Sequence, residues 1–228
     1  MKTAVITGAS KGLGFAMVQL FLQNNYTVFA ISRNPKSLEA IKNNGLHILN
    51  YNISNESEID LLIKDIQGKV GHIDILINNA ASLLVKEPKK ISFKDLSTVY
   101  TTNVFAPYLL SIKLSKLMGG KQGSHIVNIG SMGGVSGALK FKGLSVYSSS
   151  KAALLGLTEC LAVELEEKNL QINYLALGAV KTEMLKGAFP DFTGGAEVTE
   201  MAQFVYEFAV KSNSLINGKV IQVSNTTP

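Results

Sequence analysis

Apolar positions change their period repeatedly along this chain. TAVIT (3–7) is a short run of β-forming residues that ends on glycines, and LGFAMVQLFLQ (13–23) then carries apolar side chains at helical spacing. TVFAIS (27–32) predicts a second strand, a polar helix follows near 36–43, and a third strand is expected around His47–Tyr51. NESEIDLLIKDIQG (55–68) opens on Asn and early acids, a good helix start. DILINNA (74–80), SHIVNIGS (124–131) and LQINYLAL (170–177) predict the next three strands, with long helices over 94–117 and 146–167 between and after them. A helix over 196–210 and a last strand, GKVIQVS (218–224), complete the pattern. The strands alternate with helices and are continuously apolar, which predicts a parallel sheet covered on both faces. In such sheets ligands bind beyond the carboxyl ends of the strands, so function is expected just after each strand.

The 228 residues show no repeat, low-complexity tract or linker, so a single domain spanning 1–228 is expected. The net charge of +5 favours anionic ligands, but the lysines are scattered, without a basic run, so nucleic acid is not an expected partner. The 22 basic residues comprise 21 lysines and one arginine, Arg33. One cysteine, Cys160, rules out an internal disulfide framework and fits a reducing cytoplasm; its apolar surroundings (ALLGLTECLAVEL) predict a buried structural thiol. No Cys/His spacing suits a metal. The first strand starts almost at Met1, leaving no room for a signal peptide, and no apolar run is long enough for a membrane span.

The strand ends carry the candidate chemistry. After strand one, TGASKGLG places Gly8, Gly12 and Gly14 between a strand and a helix start, an arrangement that cradles a phosphate on backbone N–H groups and the helix dipole. The spacing is GxxxGxG, and a plain tight turn is the alternative. Strand two ends in Ser32-Arg33, where an NAD site carries an acid for the ribose 2′-hydroxyl; the chain has no Asp or Glu before Glu39. Arg33, with Lys11 in the glycine loop, therefore points to NADP(H) over NAD(H), unless Arg33 is merely a solvated surface residue. Asn52 after strand three either meets an adenine edge or caps the next turn, and NNAA (78–81) suits a crowded spot beside a ribose. Ser131 closes strand five, and Gly178, Val180 and Thr182 follow strand six.

YSSSK (147–151) puts a phenol and an ammonium one turn apart on one helix face. That is either a surface accident or a proton donor with its tuner.

Taken together, TGASKGLG at 7–14, NNAA at 78–81, Asn103 in TTNVFAP, Ser131, YSSSK at 147–151 and LGAVKT at 177–182 resemble the short-chain dehydrogenase/reductase family over essentially the whole chain. The resemblance implies a doubly wound, Rossmann-type parallel sheet of about seven strands with helices on both faces. It implies a catalytic tetrad of Asn103, Ser131, Tyr147 and Lys151. It also implies a nicotinamide cofactor held by Gly8, Ser10, Lys11, Gly12, Leu13, Gly14, Arg33, Asn52, Ile53, Asn79, Val180 and Thr182 with Tyr147 and Lys151; the basic pair Lys11 and Arg33 matches members that prefer NADP(H). Tyr147 is then the general acid and base for a carbonyl/alcohol pair, Lys151 favours its phenolate and holds cofactor ribose hydroxyls, Ser131 donates to the developing oxyanion, and Asn103 serves a water that feeds protons toward Lys151. Three departures stand out: Asn52 where the family has Asp, Ala81 where it has Gly, and Leu177-Gly178 where it has Pro-Gly.

The loops 82–93, 132–146 and 183–195 are expected to line the substrate pocket, the last as a mobile lid. Phe141, Phe189 and Phe192 suggest an apolar substrate or simply pack the loops down. A reductase of a carrier-bound 3-oxoacyl group is the alternative within the fold, with Lys86, Lys89 and Lys90 as its basic patch. A binding protein that senses NADP(H) without catalysis is the alternative outside it. The long helices have apolar positions enough for a homodimer or homotetramer, and the SNTTP ending makes relatives with longer tails poor guides to it.

Overall fold

The computed structural model describes residues 1–212 and 215–224; the last four residues of the SNTTP ending lie outside them. Seven strands, β1 (Thr3–Thr7), β2 (Thr27–Ile31), β3 (Leu46–Leu49), β4 (Ile75–Asn78), β5 (Ser124–Ile129), β6 (Leu170–Leu177) and β7 (Val220–Val223), form one sheet in the order β3-β2-β1-β4-β5-β6-β7. Every pairing is parallel. The order reverses between β1 and β4, which makes that crevice the switch point.

Alternation along each strand feeds two cores. Ala4 and Ile6 of β1 face α1 (Gly12–Gln23) and α8 (Val198–Lys211), where Met17, Phe21, Met201 and Val205 pack. Val5 faces the other side, against α3 (Glu56–Gln67), with Ile59, Leu62 and Ile66. α5 (Ala106–Leu114) and α6 (Ser145–Glu164) complete that layer through Leu110, Leu114 and Leu161. The expected doubly wound architecture is therefore the observed one.

Local chemistry sets the helix ends. Asn55 accepts from Ser57 N at the start of α3. Ser92 and Asp95 form a reciprocal capping box at α4 (Phe93–Tyr100). The expected helix over 36–43 is only α2 (Lys36–Glu39), because Asn43 and Gly45 turn the chain into β3 through an Asn43 Oδ1–Gly45 N bond of 2.8 Å. The expected helix over 94–117 runs as α4, a π turn at Thr101–Phe105, α5 and a final 3₁₀ turn. Pro107 has no N–H to offer the Asn103 carbonyl four residues back, and the helix widens there, with Ala106 N donating to Thr101 O. Segment 183–195, expected as a loop, begins with α7 (Glu183–Ala188), because the Thr182 hydroxyl accepts from Leu185 N at its start.

Cys160 overturns its expectation: it is exposed. The buried stripe of α6 runs through Leu154, Thr158, Leu161 and Ala162, and at 100° per residue Cys160 falls about 100° outside it, toward the opposite face.

Candidate active site

Two close approaches shape the crevice at the switch point. Gly8 and Gly12 adopt left-handed φ values of 65° and 52°. A Cβ on Gly14 would lie 2.1 Å from Gly8 O, so only glycine lets α1 start so near the turn. The Thr7 hydroxyl accepts from the backbone N–H groups of Asn79 and Ala80, both at 3.0 Å. Asn79 Nδ2 in turn donates to Thr7 O and Gly8 O, at 3.0 and 3.3 Å. These bonds lace the end of β4 to the glycine loop. Asn78 does not share the site: it is buried, and its amide donates to Ser111 and Asn128. Of the NNAA run, Asn79, Ala80 and Ala81 reach the cavity.

A cavity of about 700 Å³ runs from this crevice across the carboxyl ends of the strands. Its lining includes Gly8, Ser10, Lys11, Gly12, Leu13, Gly14, Arg33, Asn52, Ile53, Asn79, Ser131, Tyr147, Lys151, Val180 and Thr182. The sequence therefore places every expected residue on one surface except Asn103.

One end of the cavity is basic. Ser32 donates to Ser10 at 2.7 Å, joining the end of β2 to the glycine loop. Arg33 and Lys36 stand exposed on the rim beyond it, with no acid among the described residues paired to either. Lys11 reaches Glu183 of α7 at 3.5 Å, across the mouth. Asn52 lines the cavity, and its Oδ1 accepts from Ser54 N at 3.1 Å as a turn cap.

The other end holds the titratable groups. Lys151 is 2% exposed, and its Nζ donates to Ile129 O at 2.8 Å. Burial draws its pKa down to about 8. Tyr147 is pushed up to about 12 by burial, against a smaller opposing pull from the Ser131 hydroxyl. The lysine Nζ lies 5.9 Å from the tyrosine ring centre. The phenol's pKa is thus set by burial and the Ser131 hydroxyl, and the expected lowering by Lys151 is not among its causes. Ser131 Oγ accepts from Gly133 N at 3.1 Å, which leaves its O–H to donate. Asn103 is fully buried in the π turn. Its side chain accepts from Ser82 N at 2.7 Å and donates to Ser82 O and Ser150 Oγ, so it ties the loop after β4 to α6.

Three contributors were not legible in the motifs. Lys36 adds a cation beside Arg33. Tyr174, wholly buried in β6, accepts from Ser131 N at 3.0 Å and donates to Lys151 O at 3.1 Å, so one phenol fixes both backbones. Gly130 makes room for it, since a Cβ there would meet the Tyr174 ring at 1.9 Å. An aromatic residue inside a strand reads as core, and nothing in its spacing marks it as a bridge.

Over the cavity, Phe141 and Phe189 meet edge to face with ring centres 5.0 Å apart. Both line it. Phe192 does not; its ring lies against Gly194. The base of the 183–195 segment is held by the Val180–Ala196 bridge and a Lys181–Glu197 ion pair at 2.5 Å. Of the expected basic patch, Lys86 is paired to Asp95 at 2.7 Å and Lys90 to Glu87 at 2.8 Å.

A family model described as short chain dehydrogenase matches residues 2–192. Carbonyl reductase family member 4 of Xenopus laevis is 32% identical over 185 residues, covering 80% of this chain and 77% of that protein. A 3-oxoacyl-[acyl-carrier-protein] reductase of Synechocystis is 30% identical, covering 80% of this chain and 76% of its own. Among solved structures, ElxO with NADP bound superimposes with a TM-score of 0.84 at 27% identity, over 97% of this chain and 96% of that one. A 4-hydroxyisoleucine dehydrogenase complexed with NADH shares the fold, with a TM-score of 0.88 at 23% identity over 98% of this chain and 97% of that one. The chain belongs to the short-chain dehydrogenase/reductase family, oxidoreductases of the NAD(P)H-binding Rossmann fold.

Proposed function

We propose that the protein interconverts a carbonyl and an alcohol with NADP(H), with Tyr147 as general acid and base. The observation that carries this reading is the convergence of Ser131, Tyr147 and buried Lys151 on the same cavity as the glycine cradle. The cradle suits a dinucleotide phosphate: Gly14 lets the start of α1 pack against the glycine turn, which opens onto the cavity. Gly8, Ser10, Lys11, Gly12, Leu13 and Gly14 would hold the pyrophosphate side, Asn52 and Ile53 the adenine, and Asn79, Val180, Thr182, Tyr147 and Lys151 the nicotinamide half. Bound there, the nicotinamide supplies or accepts the hydride.

The chain's own residues manage the proton. Tyr147 donates to the carbonyl oxygen during reduction, and a phenol held near 12 keeps its proton throughout the neutral range. Ser131 donates a hydrogen bond to the same oxygen as charge builds on it. Lys151, its pKa drawn down to about 8 by burial, is mostly cationic at neutrality and would favour the phenolate left on Tyr147 when the proton is given up. Asn103 acts by position, through Ser82 and Ser150.

Preference for NADP(H) is supported by Arg33, Lys36 and Lys11 on the rim and by the lack of an acid at the end of β2. A guanidinium binds a 2′-phosphate bidentately and gains little from a bare hydroxyl. Exposed Phe105, Tyr108 and Val163 on the helices of the π turn, α5 and α6 support pairing into a homo-oligomer. The single cysteine supports a cytoplasmic setting. A carrier-bound 3-oxoacyl substrate is favoured by relatives named as 3-oxoacyl-[acyl-carrier-protein] reductases, while of the basic patch expected for it Lys86 and Lys90 are already paired to acids. A catalytically silent sensor would have no use for the Ser131–Tyr147–Lys151 arrangement.

The test follows NADPH oxidation by purified protein over a panel of aldehydes, ketones, quinones and 3-oxoacyl thioesters, beside Tyr147→Phe. Turnover should require Tyr147, and the variant should bind NADPH near normally, because the hydroxyl serves the transition state. A variant turning over at the wild-type rate would remove Tyr147 from the mechanism.

A further inference from the structure

The cavity is divided by charge. Its charged lining residues are Lys11, Arg33, Lys36, Lys151 and Glu183. Three of these, Lys11, Arg33 and Lys36, sit at the phosphate end, and Glu183 is held to Lys11 there. Among the described residues, Lys151 is the one charged lining residue at the reacting end, and it is buried with its ammonium on Ile129 O. The lining at this end combines Ser131, Tyr147 and Ser148 with a run of apolar residues, Leu83, Leu139, Phe141, Leu144, Met184 and Phe189. Leu139 is 65% exposed and Met184 37% exposed, so apolar surface continues outward to the rim. The neighbouring Lys140 turns away, its Nζ on Val135 O at 2.6 Å.

We propose that the substrate of this site is an uncharged carbonyl compound with an extended apolar group, and that carboxylate-bearing carbonyl compounds are rejected. The inference rests on the oxidoreductase reading above. A carboxylate at the far end of a chain lying along this wall would leave water against apolar surface with no lining cation among the described residues to receive it, since Lys151 is engaged at the reacting centre. An alkyl chain, in contrast, covers the leucine and phenylalanine surface, and each buried methylene improves binding by up to about fourfold.

The test uses two ketones of equal length that differ at one end, octan-2-one and 7-oxooctanoate, with butan-2-one as the short reference. Turnover is read with NADPH. Binding is read separately by calorimetric titration into protein loaded with NADP⁺, which cannot reduce a ketone. The expected result is tighter binding and higher kcat/KM for octan-2-one than for butan-2-one, with 7-oxooctanoate at least about tenfold weaker than octan-2-one. Met184→Arg, which puts a cation on the rim, should bring 7-oxooctanoate to within about twofold of the neutral ketone. Equal or tighter binding of 7-oxooctanoate by the unaltered protein, or binding of neither C8 ketone at millimolar concentration, overturns the proposal. The expected order of binding without turnover by the NADPH form upholds this pocket assignment and defeats the reductase reading instead.

Discussion

Gly130 and Tyr174 should be energetically coupled, and the coupling can be sized from their geometry. A methyl group on Gly130 would lie 1.9 Å from Tyr174 Cζ and 2.3 Å from its hydroxyl oxygen. The ring cannot retreat easily, because it is fully buried and its hydroxyl is bonded to Ser131 N and Lys151 O. Gly130→Ala should therefore cost about 3 kcal/mol, the upper part of the range for overpacking. Tyr174→Leu alone should cost about 2–4 kcal/mol through lost contacts, a cavity and two abandoned backbone groups. In the double variant the methyl group enters the space the ring gave up, so the total should fall short of the sum by at least about 1.5 kcal/mol. Urea unfolding of the four proteins, followed by circular dichroism, measures the cycle. Costs that add to within about 0.5 kcal/mol would refute the reasoning, since they would mean the two sites do not press on each other.

Arg33→Asp should shift the ratio of NADPH to NADH dissociation constants by at least about tenfold toward NADH, by removing a charge-assisted pair and adding repulsion; an unchanged ratio would take Arg33 out of the cofactor site. His125 is fully buried, with Nδ1 on Ala209 O and Nε2 facing Asn173 Nδ2. Its pKa is lowered from 6.5 to about 4 by burial, so between those values the unfolded chain takes up a proton that the native state refuses. Stability should fall as pH drops through that window, by about 3 kcal/mol at pH 4, and the advantage of wild type over His125→Gln in chemical denaturation should shrink by that amount between pH 7 and 4. Cys160 is exposed on α6 and should react with a thiol reagent in the native monomer; if light scattering shows a dimer built on that helix, labelling should slow on association.

The two periods of the sequence carried the architecture because they report which faces are buried, and burial is what builds a parallel sheet. Boundaries fared less well where backbone chemistry decides. Asn43 and Gly45 ended α2 early, and Thr182 started a helix in a glycine-containing segment. The glycine loop, Ser131, Tyr147 and Lys151 were legible because close approach and proton transfer restrict residue type. Lys36 and Tyr174 were not, since a solvated lysine and a core aromatic look the same in sequence whether or not they face a site. Asn103 was legible as a residue, while its placement depends on Pro107, whose missing N–H acts four positions upstream.

The π turn at Thr101–Phe105 has a consequence for how this site can change. An i→i+5 closure encloses one residue more than an i→i+4 closure. Removing one residue from the turn would leave its flanks unrotated, so Leu110 and Leu114 would keep their places in the core, but Pro107 would then stand inside an α-helix and interrupt its hydrogen bonding. The ties from Asn103 to Ser82 and Ser150, and from Thr102 to Ser54, belong to that turn. The site's anchor is thus a one-residue surplus coupled to a proline, and a lineage would gain or shed the two together.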